Sequence, residues 1–133
     1  MSQKILIADD DMDNRTIAKE ILEASGYKIL LAANGLEALE MATREEPDLI
    51  ILDMSMPKMN GWETAKRIRQ IPRMASTPIV AFTAHALAGD DLKAKVAGCD
   101  DYLSKPCVPR DMVRKVETWL GPKKENPEGG TPV

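Results

Sequence analysis

The chain alternates short, wholly apolar runs with segments whose apolar residues recur every three or four positions. Five runs read as strands: Ile5-Leu6-Ile7-Ala8, residues 28–33 around Ile29-Leu30-Leu31, Leu49-Ile50-Ile51-Leu52, Pro78-Ile79-Val80-Ala81-Phe82, and the weaker Asp101-Tyr102-Leu103-Ser104. Continuous apolarity without alternation predicts strands covered on both faces, as in a parallel sheet. Between them lie helical patterns. Ile17, Ile21 and Leu22 share a face, with Gly26 placed just past the last turn. Leu36, Leu39 and Ala42 mark a second helix, stopped before Pro47. Asn60 is the expected N-cap of a third, with Ala65 and Ile68 inward and an end before Pro72. Leu92 and Val96 mark a fourth, stopped by Gly98, and Val113, Val116 and Leu120 a fifth, stopped by Gly121. Strand and helix repeated five times predict an α/β three-layer sandwich with right-handed crossovers.

A chain of 133 residues closes one hydrophobic core. Residues 1–120 carry the pattern; residues 121–133 are Gly- and Pro-rich, without an aromatic, and read as a flexible tail. The net charge of −3 offers no basic face, so nucleic acid is not an expected partner. No apolar run approaches the roughly 20 residues of a membrane helix, and Met1 leads into a strand-like run with no signal-peptide pattern. A cytoplasmic protein away from the membrane is expected. Cys99 and Cys107 are too few and wrongly spaced for a disulfide framework or a metal knuckle, and read as reduced thiols.

The chemistry gathers where the strands end. Strand one runs into Asp9-Asp10-Asp11, strand three into Asp53, strand four into Thr83 and strand five into Lys105-Pro106. In an open parallel sheet the carboxyl ends share one edge, and ligands bind there. Asp9, Asp10 and Asp53 crowded together disfavour their own ionisation unless a cation joins them, and oxygen ligands of this kind suit Mg²⁺. With an ammonium and a hydroxyl added, the set suits a phosphoryl group. Asp53 is then either a simple ligand or a nucleophile, because carboxylates also form aspartyl phosphates. Each signal alone is weak, since an Asp at a strand end is more often a cap or turn residue. The joint pattern is specific.

That joint pattern resembles the response regulator receiver domain of two-component signalling, from residue 4 to about residue 120. Ile5 to Asp11 is similar to the family's first strand and acidic pair. Leu52-Asp53-Met54-Ser55-Met56-Pro57 with Asn60-Gly61 is similar to its phosphoacceptor motif and loop. Phe82-Thr83-Ala84 is similar to its switch-hydroxyl strand, and Asp101-Tyr102-Leu103-Ser104-Lys105-Pro106 to its aromatic and Lys-Pro signature. The resemblance implies a flavodoxin-like five-stranded parallel sheet of order 2-1-3-4-5. It implies that Asp53 accepts a phosphoryl group from a histidine kinase or histidine phosphotransfer protein, docking near the first helix by the loop 9–13 and Ile17. It implies one Mg²⁺ on Asp10, Asp53 and the backbone carbonyl of Ser55, with Asp9 acting mostly through water. Thr83 and Lys105 would bind phosphoryl oxygens, Tyr102 would move with the phosphorylation state, and the Lys105–Pro106 bond would be cis. Ser55 and His85 would tune phosphoryl lifetime. The readout would be an unidentified downstream protein, engaged through the face of the fourth helix, fifth strand and fifth helix. The protein would be a switch rather than a dedicated enzyme, and a monomer, with dimerisation on phosphorylation left open.

Other functions draw on parts of the same residue set. A phosphorelay carrier uses the same residues. A Mg²⁺-dependent phosphohydrolase with an Asp nucleophile would want a general acid at position 55, where Ser55 stands. A flavodoxin-type cofactor binder would want a neutral phosphate loop after strand one, where the loop is acidic. Asp9, Asp11, Asp13 and Glu20 imitate a calcium loop, but its sixth position is Asn14 rather than Gly and a strand precedes it. Asp11 itself reads as a helix-start residue. Met54, Met56 and Met59 read as packing, and Trp62 and Trp119 as partly buried core residues.

Overall fold

The computed structural model describes residues 3–54, 60–83, 98–104 and 108–121, with Thr83 described in its backbone only. Five parallel strands, β1 (Lys4–Ala8), β2 (Lys28–Ala32), β3 (Leu49–Asp53), β4 (Ile79–Thr83) and β5 (Asp101–Ser104), form one sheet in the order β2-β1-β3-β4-β5. The expected sheet order is therefore the observed one. The helices are α1 (Met12–Ala24), α2 (Gly35–Glu45), α3 (Gly61–Arg69) and a C-terminal helix (Pro109–Leu120), with a short 3₁₀ turn at Pro72–Met74. The helix expected around Leu92 and Val96 lies outside the described residues.

The apolar runs divide by alternation into two cores. Leu6, Ala8, Ile50, Leu52, Ile79 and Ala81 face one side and pack on Ala38 and Ala42 of α2 and Ala65 and Ile68 of α3. Ile5, Ile7, Leu49, Ile51, Val80 and Phe82 face the other and pack on Ala18 and Leu22 of α1 and Met112 and Val116 of the C-terminal helix. Every residue of the central strand β3 is buried, which accounts for its unbroken apolarity.

Two apolar residues placed inward by periodicity point outward. Ile17 and Leu36 are exposed, while Ala18, Ala38 and Ala42 take the sheet-facing positions. Where a helix seats close on the sheet, small side chains share its inner stripe with large ones such as Leu22, so size alone does not mark the buried face. Trp119, expected to be partly buried, is exposed at 38%. Its indole N–H instead donates to the Asp101 carboxylate at 2.9 Å. Trp62 does pack, half-buried, against the core.

The helix starts are fixed by side chains. Asp11 caps α1, accepting from the N–H groups of Asp13 and Asn14; Asn34 caps α2 through Glu37 N–H; Asn60 caps α3 through Glu63 N–H. Each such cap contributes about 1 kcal/mol. Gly26, at φ 97°, ends α1 in the left-handed region, as the sequence led us to expect. At the opposite edge of the sheet, Arg69 ties the end of α3 to the segment entering β5. Its guanidinium donates to the carbonyls of Met74, Thr77 and Gly98 and to the Asp100 carboxylate, which also accepts from Ile79 N–H.

Candidate functional site

The site grows from the carboxyl ends of β1 and β3, which are adjacent and in register from Ile5–Leu49 to Ala8–Leu52. One residue beyond that register, Asp53 closes β3, and Asp9 and Asp10 follow β1. Asp9 and Asp53 are buried, at 1% and 2% exposure, and Asp10 is exposed. One carboxylate oxygen from each of the three lies within 4.8 Å of the others. Asp9, Asp10 and Asp53 are thus brought together as expected.

The notch is held from several directions. Asp9 N–H donates to Ala32 O at 3.1 Å, fastening the turn to β2. Asp9 Oδ1 accepts Asp11 N–H at 2.9 Å, and the Asp9 carbonyl accepts Arg15 Nη1 at 2.7 Å. On the other side, Met54 N–H donates to Phe82 O at 3.3 Å, and Gly61 N–H donates to Met54 O at 3.2 Å. The start of α3 therefore rests on the backbone just past Asp53. A Cβ on Gly61 would lie 2.7 Å from Asp53 O and 2.6 Å from Met54 Cα, so only glycine permits this approach.

Three carboxylates with two of them buried form a costly arrangement unless positive charge compensates it. Their chemistry, all oxygen and all anionic, fits a hard divalent cation better than a soft metal.

The remaining expected site residues divide as follows. Asp53 pairs with Phe82 of β4, so the Thr83 backbone lies one position beyond it, in register with Ser104. Tyr102 sits on β5 opposite Ala81, half-buried against the core. Ser55, His85, Lys105 and Pro106 lie outside the described residues, as does the Thr83 side chain. Beside Tyr102, between β5 and the C-terminal helix, is an open cleft of about 370 Å³ lined in part by Ser104, Asp111, Arg114 and Lys115. At the start of β5, Asp101 accepts Lys115 Nζ at 3.1 Å, Tyr102 N–H at 2.8 Å and the Trp119 indole. Burial pulls the Asp101 carboxyl upward, but these three donors outweigh it and leave it below its ordinary value of 3.8.

Sequence reasoning missed two supports of the notch. Arg15 looks like an ordinary solvent-facing residue of a first helical turn, and its reach back over six residues matches no helical spacing. Gly61 was legible as a loop residue beside the Asn60 cap, but its close approach to Asp53 depends on the path of α3.

Comparison with known proteins agrees with this geometry. Residues 5–117 match the family model of the response regulator receiver domain. The polar-differentiation response regulator DivK of Brucella anthropi is 35% identical over 122 residues, covering 91% of this chain and 98% of that protein. The chemotaxis response regulator CheY4 of Vibrio cholerae superimposes with a TM-score of 0.87 at 31% identity, covering 90% of this chain and all of that one. The receiver domain of sensor histidine kinase PA1611 from Pseudomonas aeruginosa, solved with a magnesium ion coordinated in its active site cleft, gives a TM-score of 0.85 at 34% identity over 91% of this chain and 99% of that one. With sheet order, acidic notch and sequence match all in agreement, this chain belongs to the response regulator receiver domain family.

Proposed function

We propose that this protein is a phosphorylation-activated switch that receives a phosphoryl group on Asp53 from the phosphohistidine of a histidine kinase or histidine phosphotransfer protein. The single observation that carries the reading is the meeting of Asp9, Asp10 and Asp53 within 4.8 Å, with Asp53 at the buried end of the central strand. An Asp53 carboxylate oxygen attacks phosphorus, the P–N bond of the donor breaks, and its imidazole, already protonated on the other ring nitrogen, leaves as the neutral base. Asp10, Asp53 and the Ser55 carbonyl would hold Mg²⁺, with Asp9 acting through water. When bound, the ion neutralises the charge on the transferring group. Magnesium in the cleft of the PA1611 receiver supports that assignment.

Thr83 and Lys105 then bind the phosphoryl oxygens, and Ser55 and His85 set how long the adduct survives. The register of Thr83 beside Ser104 supports the neighbouring placement of the β4 and β5 ends. The added charge, about −1.5 to −2, draws the hydroxyl and ammonium inward, and Tyr102 follows into the space released. The cleft beside Tyr102 supports a protein-binding readout on that side. Exposed Met12 and Ile17 on α1 support docking of the phosphodonor there. Residues 1–120 form the working unit, in the cytoplasm; among the described residues no helix is long and apolar enough to cross a membrane.

Incubation with acetyl phosphate and Mg²⁺, followed by intact mass, tests the reading. Wild type should gain one phosphoryl group, and neither Asp53→Ala nor wild type in excess chelator should gain any. Turnover of small phosphomonoesters far faster than labelling would favour a phosphohydrolase instead.

A further inference from the structure

We infer that Arg15 is a positioning residue for the metal-binding notch, acting through the Asp9–Asp10 peptide. This rests on the magnesium reading above. Several bonds hold that turn, three of them on Asp9 backbone or carboxylate atoms. The Asp9 N–H is fixed to Ala32 O, its Oδ1 to Asp11 N–H, and its carbonyl to Arg15 Nη1 at 2.7 Å. The first fixes Asp9 itself, and the second bridges across Asp10 to the Asp11 N–H. The third acts on the peptide unit that leads into Asp10, so it helps set the direction in which the exposed Asp10 carboxylate leaves the chain.

Arg15 is well placed for this. Its own N–H donates to Asp11 O at 3.0 Å as the first hydrogen bond of α1. Its half-buried side chain folds back from that first turn to the loop that precedes it. Helix start and metal loop are therefore one rigid piece, closed by a charge-assisted bond. The guanidinium also places a permanent positive charge on the Asp9 carbonyl, at the turn that carries two of the three carboxylates. That charge eases their mutual repulsion in the metal-free protein, yet also opposes an incoming cation. The two roles predict opposite signs on removal. A tether that keeps Asp10 aimed makes metal binding weaker when lost; a merely repulsive charge makes it tighter.

The geometry favours the tether, because the guanidinium bonds the backbone carbonyl. Partners that orient metal ligands typically carry about 10–100-fold in metal affinity. Arg15 acts one peptide away from a ligand, so the lower end applies.

The test is Mg²⁺ titration of wild type, Arg15→Ala, Arg15→Lys and Asp10→Asn by calorimetry at low and at physiological ionic strength. Amide exchange of the metal-free proteins and thermal melts run alongside. Arg15→Ala should bind Mg²⁺ roughly tenfold more weakly at both salt concentrations, with faster exchange at Asp10 and Asp11 N–H and little change in melting temperature. Arg15→Lys, which keeps the charge and one donor, should recover most of the affinity. Affinity in Arg15→Ala equal to or tighter than wild type, while Asp10→Asn abolishes binding, overturns the Arg15 role and leaves the magnesium reading standing. Wild type without saturable Mg²⁺ binding overturns both.

Discussion

Replacing Gly61 by alanine adds one methyl group at the point where α3 meets the end of β3. The new Cβ would fall 2.2 Å from Met54 Sδ, 2.6 Å from Met54 Cα and 2.7 Å from Asp53 O. The sulfur is the far end of a flexible side chain and can swing away. The other two atoms are backbone, and relief requires α3 or the β3 terminus to shift by roughly half an ångström or more. Overpacking of this kind costs about 1–3 kcal/mol. The strain also works against the Gly61 N–H to Met54 O bond. Alanine's better helix propensity returns less than about 1 kcal/mol. The net expectation is a loss of about 2 kcal/mol, read as a lower urea midpoint at unchanged slope. Because the shifted atom is the carbonyl of Asp53, acetyl phosphate labelling should also slow by roughly tenfold, given that misplacement by about 1 Å costs near a hundredfold. Adding Met54→Ala removes only the sulfur contact, so Gly61→Ala should remain destabilising in that background. A Gly61→Ala protein as stable as wild type, or more stable as helix propensity alone dictates, would refute the close approach.

Other consequences follow from single groups. Arg69→Ala should cost about 2–4 kcal/mol in denaturant melts, since it strips donors from several carbonyls and from Asp100; Arg69→Lys, lacking the planar fork, should recover less than half. Asp101 has a depressed carboxyl, so its contribution is present in full above the ordinary value of 3.8 and is lost as pH falls through the lower folded value. Asp101→Asn should therefore show a flatter decline of stability with acid than wild type, and parallel curves would contradict the network with Lys115 and Trp119. Burial pushes the Cys99 thiol up to about 12, with Arg69 opposing and Asp100 adding to the shift. In a Cys107→Ser background, Cys99 should react with a disulfide reagent only as fast as the protein opens, and rapid native labelling would show the thiol accessible.

The strands were legible because β3 and its neighbours are buried on both faces, which leaves an unbroken apolar run such as Leu49 to Leu52 as their signature. The caps at Asn60 and the stop at Gly26 were legible for equally local reasons. Sheet order was not readable from periodicity, since nothing local says that β1 lies between β2 and β3; it came through the resemblance. Helix faces were misread at Ile17 and Leu36, where the neighbouring Ala18 and Ala38 face the sheet instead, while Ala42 is buried as expected. The acidic notch was legible because the carboxyl ends of parallel strands must share an edge, whatever the order of the interior. The supports around it, Arg15 on the Asp9 carbonyl and Gly61 against Asp53 O, depend on the path of a loop and on the height of a helix. No residue pattern encodes either.

The central claim is that the Asp53 carboxylate is the atom group that bonds to phosphorus. Borohydride reduces an aspartyl phosphate to homoserine, so treatment of the acetyl phosphate-labelled protein followed by peptide mapping reads the site directly. The account predicts homoserine at position 53, appearing only with magnesium present. Homoserine at Asp9 or Asp10, or phosphate held on a hydroxyl and untouched by the reductant, would contradict it.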